Sequence, residues 1–195
     1  RNVTLDGITT NSESVGARLM TVSAMTSNAT TTVDMAVDNA TMTGLSGGTS
    51  IYGGSAAFVA AGYAVEESGT SNINVTPSNF ILSDNNSLTD GAVSCVLMDI
   101  NSLFGGSGSS SASFTSSGGN ISDDTSCSSY FTDPTDQNNV DPADLMLGTL
   151  GNYGGSIPTI PLLPGSIAID SGTTVAGLTT DARGVSRPQC SAYDS

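Results

Sequence analysis

The sequence predicts an all-β fold: a right-handed parallel β-helix, or solenoid, with a loop-rich C-terminal cap. Three observations carry that expectation. Helix-forming composition is nearly absent. Short runs of alternating apolar and hydroxyl residues are separated by Gly, Asn, Ser and Asp turns with few hairpin signals. An Asn or Asp also recurs just ahead of those runs at repeat-like spacing.

Composition supplies the first. Ser (31), Gly (23), Thr (24) and Asn (14) make up 92 of the 195 residues, and all are poor helix formers. Charged residues are 11% of the chain, against about 25% in an ordinary soluble domain. The only cations are Arg1, Arg18, Arg183 and Arg187, so 18 carboxylates leave a net charge of −14. Nucleic acid and anionic membrane are thereby excluded as partners, since both require a basic footprint. No run of about 18 apolar residues is present to span a bilayer. Solubility rests on hydroxyls, amides and Asp with no Lys, which places the chain outside the cell or on its surface. Val, Ile, Leu, Met and Phe recur throughout, enough to build a core and to set disorder aside.

Strand-like runs cover 19–25, 31–37, 72–75, 80–82 and 93–100. The stretch 55–61, bracketed by Gly53-Gly54 and Gly62, reads equally as a helix, a short buried strand or a loop. Only Asp6-Gly7 and Asp90-Gly91 offer tight-turn dipeptides, whereas an antiparallel sandwich requires them regularly. The anchors Asp6, Asn39, Asn79 and Asn101 are 33, 40 and 22 residues apart, compatible with solenoid repeats of about 20–45 residues. In such a stack inward positions take Val, Ile, Leu, Met and Ala, and outward positions take Thr and Ser. Asn at the corners tolerates left-handed geometry and can form hydrogen-bonded ladders. The coils are assigned to 1–130, with a Ser/Gly-rich loop at about 105–119 and a last coil at 118–127. Residues 131–195 form the cap of the same domain.

The C-terminal third also resembles a known family. Gly119-Asn120-Ile121-Ser122-Asp123-Asp124-Thr125-Ser126-Cys127, Val140-Asp141-Pro142 and Leu147-Gly148-Thr149-Leu150 come first. Asn152-Tyr153-Gly154-Gly155-Ser156-Ile157-Pro158-Thr159 and Leu162-Leu163-Pro164-Gly165-Ser166-Ile167-Ala168-Ile169-Asp170-Ser171-Gly172 follow, and then Thr180-Asp181-Ala182-Arg183-Gly184-Val185-Ser186-Arg187-Pro188. In order and spacing these are similar to the ending of bacterial surface β-helix proteins with a choice-of-anchor Q domain, relatives of polymorphic outer-membrane protein repeats. The family's closing Cys-Asp-Ile-Gly-Ala-Tyr-Glu is replaced by Cys190-Ser191-Ala192-Tyr193-Asp194. The resemblance implies an exported, surface-associated protein and no particular activity.

Candidate sites are few. Asp133, Asp136, Asn139, Asp141 and Asp144 place hard oxygen ligands at the close spacing that suits calcium, with a solvated acidic loop as the competing reading. Calcium is the one cofactor considered. Cys95, Cys127 and Cys190 lack CxxC spacing and a His to share a metal; one disulfide with a free thiol allows three pairings, and three buried thiols are the alternative. No catalytic residue is assigned. Asp123-Asp124 resembles the paired carboxylates of polysaccharide hydrolases, but no His or Lys is available to tune them, so the chain is expected not to be an enzyme. Asp181 and Arg183 are expected to form a structural ion pair, and Asp170 to cap a turn. N-x-S/T triplets occur at Asn2, Asn28, Asn39, Asn74, Asn85 and Asn120.

The expected function is that of an exported structural or adhesive surface protein. The chain opens at Arg1 directly into a strand-like pattern, as a mature or excerpted piece would. Its open N-terminal end points to head-to-tail homo-oligomers, an extracellular filament or a surface-layer module, with other surface proteins or glycans as further partners. A carbohydrate-binding surface protein is the second reading, and a polysaccharide lyase or hydrolase the third.

Overall fold

Two hydroxyl-rich runs of 14 residues, Thr30–Thr43 and Thr70–Ser83, pair in parallel along their whole length, each residue beside the one forty positions later. Hydroxyl and β-branched side chains favour that extended, half-buried state. The computed structural model describes residues 3–7, 9–10, 18–26, 28–47, 56–64, 69–87, 91–92, 94–99, 107–189 and 194. In chain order the strands are β1 (Val3–Asp6), β2 (Thr9–Thr10), β3 (Arg18–Thr26), β4 (Thr30–Thr43), β5 (Ser46–Gly47), β6 (Ala56–Ala64) and β7 (Thr70–Ser83). They continue with β8 (Asn86–Ser87), β9 (Gly91–Ala92), β10 (Cys95–Asp99), β11 (Ser109–Phe114), β12 (Ile121–Ser122) and β13 (Gln137–Asn138); one helical turn, α1 (Pro142–Leu145), follows.

The strands form three sheets. The first runs β1-β4-β7-β12-β13 with β11 also beside β7, the second β2-β5-β8-β9, the third β10-β6-β3. All pairs are parallel except the short β8–β9 hairpin. The chain visits the first, second and third sheets in turn and then repeats the circuit. The fold is therefore mostly β and predominantly parallel, with almost no helix among the described residues.

Left-handed residues bend the long strands and shift their alternation. Asn39 and Asn79 have φ of 55° and 54°. Before this corner the inward residues are Val33, Met35 and Val37 in β4, and Ile73 and Val75 in β7; after it they are Ala40 and Met42, and Phe80 and Leu82. The core lies between these inward columns. Its C-terminal end is covered by the turn at 127–131, where Phe131 meets Phe80 edge-on at 6.5 Å and Tyr130 meets Phe114 at 5.3 Å. A Cys95–Cys127 disulfide, Cα–Cα 5.1 Å, ties that turn to the start of β10.

Several expectations are adjusted. Of the stretch 55–61, residues 56–61 lie in a strand, β6, and residue 55 lies outside the described residues. The Ser/Gly loop expected at 105–119 contains β11, which pairs with Thr70–Val75; Ser is a serviceable strand residue when a neighbouring coil supplies the ladder. The separate runs 72–75 and 80–82 are one bent strand. Of the four anchors, Asn39 and Asn79 are equivalent, but Asp6 pairs with Thr43 and so belongs to another column; Asn101 lies outside the described residues.

Candidate functional site

The outer face of the first sheet decides where a site can exist. One outward column reads Thr4, Thr41, Ile81, Ile121, each beside the next. At Ile81 and Ile121 the C-terminal segment folds back and buries a second core with Leu145 and Ala168, flanked by Val140, Leu147, Leu162 and Ile167. Burying each Ile stabilises the contact by roughly 1.5–3 kcal/mol. At Thr4 and Thr41 the column offers hydroxyls instead, and the segment stands off to leave a cleft of about 280 Å³.

The cleft wall is made by local turns. Leu147 bridges Leu162 and Gly151 bridges Thr159 in antiparallel fashion; a side chain at Gly148 would overlap Pro161, so the close approach at that point requires glycine. Asp181 Oδ1 accepts from the N–H groups of Arg183 (2.8 Å) and Val185 (2.9 Å), and its Oδ2 accepts from Arg183 Nε at 2.7 Å. Burial opposes ionisation of Asp181, but the Val185 N–H, the Arg183 donors and the guanidinium charge outweigh it and hold the carboxyl below its ordinary range. Arg187 donates from Nη2 to the carbonyl of Asp194 at 3.0 Å, and Asp194 Oδ1 accepts from the N–H of Asp170 at 3.0 Å. The Asp181–Arg183 ion pair (2.6 Å) stands as expected. Asp170, at φ 60°, occupies a turn and uses its N–H to hold Asp194.

The five calcium candidates do not converge. Asp133 is occupied by the hydroxyl and N–H of Thr135, which pull its carboxyl below the usual range. Asp136 accepts from the N–H of Asp133 and from both nitrogens of Asn120. Asn139 takes a left-handed turn, and Asp141 caps α1 by accepting from the N–H of Ala143 at 2.9 Å. Asp144 is exposed in that turn. No three His, Cys, Asp or Glu side chains gather around a common point among the described residues.

Asp123 and Asp124 likewise serve different partners. Asp123 Oδ2 accepts from Ser83 Oγ and the N–H of Asp84; burial pushes its carboxyl up, those hydrogen bonds oppose, and the charges of Asp124 and Asp84 add to the rise. Asp124 Oδ1 instead accepts from the N–H and Oγ of Ser126 inside the fold. Cys95 pairs with Cys127, one of the three open pairings; Cys190 lies outside the described residues.

Two asparagines of the N-x-S/T triplets, Asn85 and Asn120, have structural work. Asn85 Nδ2 donates to the Met42 carbonyl and its Oδ1 accepts from the N–H of Leu45. Asn120 repeats the pattern on the Pro77 carbonyl and the N–H of Phe80. Both are buried, and each clamps the backbone near the corresponding position of the preceding circuit. The cleft residues Arg187 and Gln189 were missed as a site because the outward column becomes visible only once the strand register is known. Among the described residues no helix is long and apolar enough to cross a membrane. Comparison with protein-family models, curated proteins and solved structures finds no match to this chain.

Proposed function

We propose that this chain is an exported structural and adhesive surface module, built as a right-handed parallel β-helix. The observation that carries the reading is the repeated circuit through three sheets with side chains bonded between residues forty apart, such as Ser78 Oγ to Asp38 at 2.7 Å and Asn74 to Asp34 at 2.8 Å. Such ladders suit a rigid rod whose exposed faces are its working surface. The disulfide supports export, because such bonds persist in oxidising compartments. The acidic, Lys-free composition and the resemblance of residues 119–188 to surface β-helix endings point the same way.

The test is protease shaving of intact expressing cells, with thiol labelling of the released chain. Release with Cys95 and Cys127 oxidised is expected; retention inside the cell with both reduced would overturn the reading.

A further inference from the structure

We propose that the cleft floored by Thr4 and Thr41 binds a neutral sugar ring, such as the terminal residue of a glycan. The proposal does not depend on where the protein resides or how it assembles.

The cleft exists because of two residues. The same outward column that is sealed at Ile81 and Ile121 by the C-terminal segment carries Thr at the next two positions. Its volume of about 280 Å³ falls just short of the roughly 300–1,000 Å³ of small-molecule sites, and fits one ring better than an extended chain.

Its chemistry is that of a polyol site. Asp170, Asp181, Asp194, Arg183, Arg187 and Gln189 border one space, with Asp181 held by Arg183 and Val185. Carboxylate, guanidinium and amide are planar groups with two heads, able to engage adjacent hydroxyls in pairs. Arg183 is neutralised by Asp181. Among the described residues the Arg187 side chain donates one hydrogen bond, to the Asp194 carbonyl, and a guanidinium carries five N–H donors in all. With three negative and two positive groups, an anionic sugar meets net repulsion. Ile160 and Ile169 on the wall supply an apolar surface for the C–H face of a ring.

The test is saturation-transfer NMR and titration of the full chain with the methyl glycosides of glucose, galactose and mannose, alongside methyl galacturonide. At least one neutral glycoside is expected to bind, with the uronide weaker by about tenfold, near 1.4 kcal/mol. Thr41→Ile continues the Ile column into the floor, and should weaken binding by at least about tenfold while leaving the melting temperature unchanged or higher. Arg187→Gln leaves the floor intact and should weaken binding severalfold, which keeps the proposal testable if the floor variant folds poorly. Absence of binding by all three neutral glycosides, equal binding of the uronide, or undiminished binding in both variants would overturn the proposal.

Discussion

Asn79 donates its side-chain amide to Oδ1 of Asn39 at 2.9 Å, from the position forty residues later in the next strand. Both residues are left-handed, and the bond joins two corners of the stack. The next residue in the column is Gly119, at φ 70°. There the ladder ends because the C-terminal segment takes its place: Thr173 N–H donates to Asn79 Oδ1 at 2.7 Å, and Asn79 Nδ2 also donates to the Thr173 carbonyl at 2.9 Å. A Cβ at Gly119 would overlap Asn79 Oδ1 and crowd the Thr173 backbone. Gly119→Asn, which continues the ladder in sequence, is therefore expected to displace the segment around 172–173. Limited proteolysis should show faster cleavage within 140–189 than in the parent, while the strands remain by circular dichroism. Unchanged cleavage would remove the docking role of Gly119.

The clamps at Asn85 and Asn120 set a second expectation. Each joins a carbonyl and an N–H of the preceding circuit inside the protein, so truncation removes both buried bonds, although the Pro77 carbonyl keeps the Ser117 N–H. Asn85→Ala and Asn120→Ala should each cost about 2–4 kcal/mol. Asn74→Ala removes an exposed ladder bond to Asp34 and should cost under about 1 kcal/mol. Urea melts of the three variants check the ranking; a loss at Asn74 equal to the others would contradict it.

The disulfide closes a loop of 32 residues and pins the end of the core. Loop-closure entropy then gives about 3–4 kcal/mol, or a fall in melting temperature of roughly 6–16 °C on reduction for a chain of this size. The same bridge in a chain of three cysteines predicts one reactive thiol per chain when the protein is denatured without reductant. Three reactive thiols would exclude the bridge.

Stability should carry opposing acid titrations. The Asp123 carboxyl is raised, chiefly by burial; the folded state therefore binds its proton more tightly than the unfolded chain, and stability falls as pH rises from the ordinary Asp range through the raised value. Asp123→Asn should flatten this decline and leave stability at neutral pH equal or higher. The Asp181 carboxyl is lowered, although burial opposes this, so its contribution is present above the ordinary Asp range and is lost as pH falls through the lowered value. Asp181→Asn should destabilise at neutral pH and much less in acid. Denaturation between about pH 3 and 7 measures both slopes; identical pH dependence in parent and variants would refute the assignments.

Sequence alone determined the mostly β, parallel character of the fold and much of its texture. Poor helix formers, scarce hairpin dipeptides and Thr/Ser alternation leave parallel strands as the consistent outcome, and the Asn39–Asn79 spacing is legible directly because Asn tolerates a left-handed corner. The Asp181–Arg183 pair was legible as well, being two residues apart. The tertiary structure decided what depends on register. It placed Asp6 beside Thr43 and not in the Asn39 column, found a strand in the Ser-rich stretch at 109–114, and scattered the acidic residues of 133–144 among local caps. It selected Cys95–Cys127 from three pairings. It also set Thr4, Thr41, Ile81 and Ile121 in one outward line. A one-residue slip in a strand turns every side chain to the other face, so the partners of a column far apart in the chain are fixed only when the parallel strands pair. For that reason the cleft above Thr4 and Thr41 belongs to the stack, and no local motif announces it.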